Sequence, residues 1–229
     1  MKDNVVIFFT RVPIPGETKT RLMPILTGEQ CRELHRAFLL DIYAVLSKPE
    51  INCDIAVYYT PADGTAEIEA LCPNALSYTP QAGNNLGERM YNAICDMLRR
   101  GYKKCLLMGS DIPTIEASAI VGALDLLSTN DIVICPTDDG GYYLIGMKEP
   151  CPEVFSLEEY GVSSVLEKTA AAAKKAGKTL VTGEQLMDID EPADLAKLVH
   201  QLECGDLTTC PETKKFIELH RSKITEKAV

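Results

Sequence analysis

The sequence has no tryptophan and only three histidines, His35, His200 and His220, far apart in the chain. That spacing does not gather ligands, so a histidine-built metal centre is not expected. Its nine cysteines contain no Cys-x-x-Cys pair. Cys53, Cys105 and Cys135 sit inside apolar runs, where a thiol behaves as a small hydrophobe. An odd number of such residues reads as buried free thiols in a reducing cytoplasm, not as a disulfide framework or zinc site. No apolar run approaches the roughly 20 residues of a membrane span. Charged Lys2 and Asp3 open the chain where a signal peptide would differ. Basic residues are outnumbered, with 23 Lys and Arg against 33 Asp and Glu and a formal net charge of −10. This argues against a general nucleic-acid binder, which needs a basic face. Neither GxxxxGK[ST] nor GxGxxG occurs, which excludes the Walker A and dinucleotide fingerprints.

What remains is a soluble α/β pattern. The 229 residues are 46% hydrophobic and 24% charged, enough for one α/β domain with a substantial core. Strand-like runs at 5–9, 53–60, 76–79, 104–108, 131–135, 142–147 and 178–182 alternate with helical periodicity up to about residue 200. Thr27 and Gln30 form a capping box for a helix to about Leu46. A helix is expected from about Thr114 to Leu127, and a charged terminal helix from Pro211 to about Ile224. The runs at 131–135 and 142–147 are too close for a parallel crossover, so the sheet is mixed. No internal repeat or linker divides the chain, so a single domain is expected over residues 1–229.

The informative stretch is Val5 to Leu22. Five consecutive apolar residues, Val5 to Phe9, suit a strand covered on both faces. A loop rich in proline then carries Arg11, Lys19 and Arg21, with Gly16 free to take a conformation other residues avoid. A rigid cationic loop at the carboxyl end of a central strand lies where open α/β sheets bind ligands. Crowded cations call for an anion, and a nucleotide phosphate suits Arg forks and a Lys point charge. The alternative is a surface loop whose cations pair with nearby acids.

Carboxylates supply the other candidates. Asp111 ends a strand and can ligate a divalent ion or cap the next helix. Asp188 and Asp190 alternate about Ile189, which puts both carboxylates on one face of an extended segment and suits Mg²⁺. Asp190 also stands where an N-cap would, before Glu191-Pro192. Asp138-Asp139-Gly140-Gly141 is a hairpin signal, or a place where an acceptor approaches the backbone beside a carboxylate.

Five stretches in this order carry a resemblance: PxPGxxKTRL at Pro13–Leu22, QxGxxLGERM at Gln81–Met90, GSDIP at Gly109–Pro113, DGGYYLIG at Asp139–Gly146 and DIDEPADL at Asp188–Leu195. Together they resemble the DUF2064 group of the nucleotide-diphospho-sugar transferase (GT-A) superfamily, over about residues 5–200. The resemblance implies a Rossmann-like, three-layer α/β/α fold with a mostly parallel mixed sheet. It implies a nucleotide-binding half to about residue 112, an acceptor-binding half to about 200 and a helical tail. It implies a cytoplasmic, Mg²⁺- or Mn²⁺-dependent transferase. Its partners would be a nucleotide-sugar or NTP donor and a small acceptor, with no nucleic acid; a homodimer is compatible with it. Glycosyl transfer is the first expectation and nucleotidyl transfer the alternative, with a non-catalytic nucleotide-binding module third. Arg11, Gly16, Lys19 and Arg21 would bind phosphates; Gln81 and Gly83 the base or ribose. Asp111, Asp188 and Asp190 would hold metal, with Asp111 and Asp139 catalytic and Gly140, Gly141 and Tyr142 on the acceptor side. The chain departs from the pattern in having Arg11 for a lysine, no Trp after the DGG strand, and one Asp in Gly109-Ser110-Asp111 in place of DxD.

Overall fold

The computed structural model describes residues 2–205 and 209–227. Its first strand, β1 (Asn4–Arg11), runs through the middle of the sheet because both its faces are apolar. Val6 and Phe8 enter one core; Val5, Ile7 and Phe9 enter the other. Each wholly buried side chain of this kind stabilises the fold by roughly 1.5–3 kcal/mol. Helix α1 (Gly28–Leu46) follows, opened by the expected box: Gln30 N donates to Thr27 Oγ1 at 3.2 Å and Thr27 N to Gln30 Oε1 at 2.9 Å. Next come β2 (Asp54–Thr60), α2 (Thr65–Leu71), β3 (Ser77–Pro80), α3 (Leu86–Arg99) and β4 (Lys104–Met108).

Helix α4 (Ala117–Thr129) starts three residues later than Thr114, with Glu116 at its N-cap. Asp111 is therefore not a cap. The hairpin β5 (Ile132–Pro136) and β6 (Tyr142–Met147) is antiparallel, as the short connection demands. The chain closes with α5 (Val165–Lys175), β7 (Leu180–Thr182), α6 (Pro192–Glu203) and α7 (Pro211–Lys227). Strand order is β3-β2-β1-β4-β6-β5-β7. Only β6 opposes its neighbours among these paired strands. The result is the expected three-layer α/β/α fold with a mostly parallel mixed sheet.

Helices α1, α2, α4, α6 and α7 cover one face of the sheet, and α3 and α5 the other. The terminal helix is charged but not loose. Phe216, Ile217 and Ile224 are buried in the first core. Asp41 of α1, 1% exposed, accepts from Glu212 N at 3.0 Å and Thr213 N at 2.8 Å, which fixes the start of α7. Among the described residues, no helix is long and apolar enough to cross a membrane.

Candidate functional site

The carboxyl ends of β1 and β4 lie side by side, so the loops that leave them meet. The β1 loop turns at Gly16, whose φ of +75° favours glycine, and packs against Gly28 at the start of α1. Lys19 itself is left-handed, at φ 51°. That conformation is unfavourable for a side-chain-bearing residue, and the contacts of Lys19 show what holds it. Its ammonium, with the side chain 4% exposed, donates to Ile189 O at 2.6 Å and Asp190 Oδ1 at 2.9 Å and pairs with Asp111. Arg21, more exposed, reaches Asp190 at 3.8 Å.

The segment carrying Asp188 and Asp190 is tied to the end of β4 by Ile189 N, which donates to Asp111 O at 2.9 Å. Ile189 is buried and its two neighbours are only partly so, as the alternation predicts. Asp190 is not the cap of α6: Glu191 takes that place, its N donating to Asp194 Oδ2 at 3.0 Å. The carboxylate of Asp190 is thus left for the site.

Charge follows from this geometry. Burial would lower the pKa of Lys19, but Asp111 and Asp190 outweigh it and raise it above its ordinary value. Burial would raise the pKa of Asp111; Lys19 and then His35 hold it below the usual carboxylate range. Asp188 lacks such a cation. Burial, then Asp139 and Asp190, push it up to about 7. His35, on α1, is buried under the loop and its pKa falls to about 4, chiefly through burial. It is neutral: Nε2–H donates to Arg11 O at 3.1 Å, and buried Nδ1 has no partner among the described residues.

Three cavities lined by Asp111 open here, and a further one of about 460 Å³ runs from Arg21 and Lys197 to Asp139, Asp188 and Asp190. The first, about 220 Å³, brings Arg11, Lys19 and Arg21 together with His35, Ser110 and Asp190. The second, about 240 Å³, holds Asp139, Gly141, Tyr142, Asp188 and Asp190, with Tyr143 and Tyr160. The third, about 390 Å³, extends over Arg11, Gln81 and Arg89. The Gln81 amide is already engaged, donating to Thr10 O at 2.9 Å and Tyr58 O at 3.2 Å. Gly83 and Gly140 line none of these cavities. Gly83, at φ +143°, lies against Glu88 and Arg89; Gly140, at φ +88°, lies against Ser163. Both shape backbone. Asp139 serves its turn, with Oδ1 accepting from Thr137 Oγ1 at 2.6 Å and Gly141 N at 2.9 Å, and lines the second cavity as well.

The oxygens of Asp111, Asp188 and Asp190 are the donors a hard divalent cation would take. No group of three or more His, Cys, Asp or Glu forms a ready metal cluster among the described residues. One or two carboxylates suffice for Mg²⁺, because substrate phosphates ordinarily complete its shell. The set therefore fits such an ion. Residues that the sequence did not single out are His35, Ser110, Thr10 and Tyr143. Thr10 Oγ1 donates to Ser110 Oγ at 2.9 Å beneath the first cavity.

The chain is similar over most of its length to several known proteins. The chain is 25% identical to the 2-phospho-L-lactate guanylyltransferase of Methanobrevibacter ruminantium over 214 residues, which is 89% of this chain and 86% of that one. It is 26% identical to the 3-phospho-D-glycerate guanylyltransferase of Phenylobacterium zucineum, over 83% of this chain and 87% of that one. A crystal structure from Desulfovibrio desulfuricans G20, assigned as a nucleotide-diphospho-sugar transferase, superposes with a TM-score of 0.91 at 29% identity, covering 99% of both chains. A cytidylyltransferase from Leptospira borgpetersenii shares the fold at TM-score 0.58 and 13% identity, covering 100% of this chain and 98% of that one. Residues 45–162 match the profile of a family described as uncharacterized proteins conserved in bacteria, DUF2064. This chain is a transferase and belongs to the DUF2064 family.

Proposed function

We propose that this transferase moves a nucleoside monophosphate from a nucleoside triphosphate to a small phosphorylated acceptor, with guanosine the favoured nucleoside. The observation that carries the reading is the first cavity, where Lys19, Arg11 and Arg21 converge beside Asp111 and Asp190. Two relatives matched over more than four fifths of the chain are guanylyltransferases, which supports nucleotidyl over glycosyl transfer. Arg11 and Arg21 bind the triphosphate with paired donors, and Lys19 places a point charge on its phosphates. An acceptor phosphate oxygen attacks the α-phosphorus. The bond from that phosphorus to the bridging β-phosphate oxygen breaks, and pyrophosphate leaves with the bonding pair. Asp139, held by Thr137 and Gly141, orients the acceptor. Asp111 and Asp190, with Asp188 beside them, would hold Mg²⁺ or Mn²⁺. When bound, such an ion neutralises phosphate charge and favours departure of pyrophosphate.

Glycosyl transfer is the second reading, and the Desulfovibrio structure favours it. The two differ in product. The protein is incubated with each NTP, or with each nucleotide-sugar, and a set of phosphorylated acceptors. Pyrophosphate from an NTP, dependent on acceptor, is the expected result. A nucleoside diphosphate from a nucleotide-sugar, with no pyrophosphate from any NTP, overturns the first reading for the second.

A further inference from the structure

Arg89 of α3 lines the third cavity and has no part in the phosphate chemistry above. Its Nε donates to Gly83 O at 3.0 Å, which fixes the guanidinium plane. Among the described residues, its two terminal nitrogens meet no acceptor and no carboxylate pairs with it. The carboxylate beside it in the chain, Glu88, is turned to Asn84 and Asn85 instead. A guanidinium pinned through Nε presents its two terminal N–H groups as a rigid, parallel fork. Gln81, in the same cavity, supplies the opposite pattern. Its amide nitrogen is held by two backbone carbonyls, Thr10 O at 2.9 Å and Tyr58 O at 3.2 Å. Those partners fix which end of the amide is nitrogen and leave Oε1 as an acceptor for a ligand.

The third cavity shares Arg11, Ser110 and Asp111 with the first. A nucleotide whose phosphates occupy the first therefore extends its nucleoside end into the third. At about 390 Å³ the third is the largest of the three that Asp111 lines, and Phe9, Leu86, Met90 and Leu107 give it apolar wall for a flat ring. Leu86 stands one turn before Arg89 on the same helix face and is 44% exposed, a surface that a ring would cover. We infer that Arg89 is the residue that selects the base: its fork donates to O6 and N7 of guanine, and Gln81 Oε1 accepts from N1–H. The inference rests on the nucleotide reading of the first cavity. Adenine carries an amino donor where the fork needs its second acceptor, so the same fork rejects it. Cytosine offers two adjacent acceptors on a single ring and covers less of the apolar wall.

The test is calorimetric titration of the full chain with GTP, ITP, 7-deaza-GTP, ATP and CTP in saturating Mg²⁺. GTP and ITP, which share O6, N7 and N1–H, are expected to bind alike and at least about tenfold more tightly than ATP and CTP. 7-Deaza-GTP lacks only the N7 acceptor and should bind about tenfold more weakly than GTP. Arg89→Met should weaken GTP at least about tenfold and leave ATP within about twofold, so that the preference disappears. The loss on removing N7 should disappear with it, which a merely structural role of Arg89 would not produce. Equal loss of GTP and ATP in Arg89→Met overturns the inference and makes the residue a phosphate ligand or a support for the loop. Tighter binding of ATP or CTP than of GTP overturns it as well. So does equal binding of GTP and 7-deaza-GTP by the unaltered protein, a result that does not depend on the variant folding. Absence of binding by every nucleotide also overturns it. Pyrophosphate release from GTP is measured separately. Guanine preference that depends on Arg89, without release, leaves the base reader standing and defeats nucleotidyl transfer; release with no role for Arg89 does the reverse.

Discussion

Removing the Lys19 charge perturbs the site most directly. In the free protein its ammonium neutralises Asp111 and Asp190 and satisfies Ile189 O. Stripping one partner from a fully buried pair costs 3–5 kcal/mol. Here the carboxylates are partly exposed, Asp111 at 43% and Asp190 at 37%, so water recovers part of that cost. Lys19→Ala should therefore lower stability by about 1–3 kcal/mol. For a chain of this size each kcal/mol lowers the thermal midpoint by roughly 2–4 °C. In the donor complex a charge-assisted hydrogen bond to phosphate is worth about 1.5–3 kcal/mol. Triphosphate affinity should then fall about 10- to 150-fold.

A second substitution separates charge from backbone. Lys19 sits at φ 51°, which costs a non-glycine residue about 1–2 kcal/mol. Lys19→Gly should be more stable than Lys19→Ala by about 1 kcal/mol, yet bind triphosphate as weakly. Differential scanning calorimetry and titration with an NTP read the two quantities separately. Wild-type affinity and midpoint in Lys19→Ala would refute the role given to the lysine. Restored affinity in Lys19→Gly would assign that role to loop shape.

Three further outcomes are expected. His35 is buried and neutral with a folded pKa of about 4, against about 6.5 unfolded, so its stability contribution is complete above pH 6.5. It is lost as pH falls toward 4, by up to about 3 kcal/mol, and His35→Gln should flatten the fall of urea midpoints between pH 7 and 4.5. Asp41→Ala removes the acceptor of two backbone N–H groups and should cost about 1–3 kcal/mol, with hydrogen exchange accelerated first in α7. Gly140→Ala places a Cβ 2.2 Å from Ser163 O at a φ of +88°, and should destabilise the β5–β6 turn by about 1–3 kcal/mol in chemical denaturation.

The layers and the site differ in how far the sequence discloses them. The run Val5–Phe9 is apolar at every position because both faces of β1 are covered, and that pattern is local. The antiparallel hairpin is local too, since chain length alone forbids a crossover between β5 and β6. Helix starts were less legible. Asp111, Thr114, Asp190 and Glu191 are all chemically able to cap; backbone direction after β4 and after Ile189 selects Glu116 and Glu191. The charged face of α7 gave no sign of docking, because its buried residues are few and its anchor, Asp41, is 171 residues away. His35 followed the helical stripe beside Leu34 and Phe38 and read as ordinary helix, although its ring closes the floor of the first cavity.

The site also joins two readings of the basic loop that seemed to compete. Cations paired with nearby acids, and cations awaiting phosphate, describe the same residues. Lys19 is charged and buried only because Asp111 and Asp190 hold it, and they are its partners from 171 residues away in the case of Asp190. An arginine fork would stay locked on one carboxylate, whereas an ammonium has three rotatable donors and can turn between carboxylate and phosphate. Arg21 sits at the mouth, 59% exposed and only loosely paired at 3.8 Å, so its fork is free to meet the solvent-facing end of a triphosphate. The carboxylates thus keep Lys19 charged and in place while no anion is present, and on the proposed nucleotidyl transfer the exposed Arg21 would make the first contact.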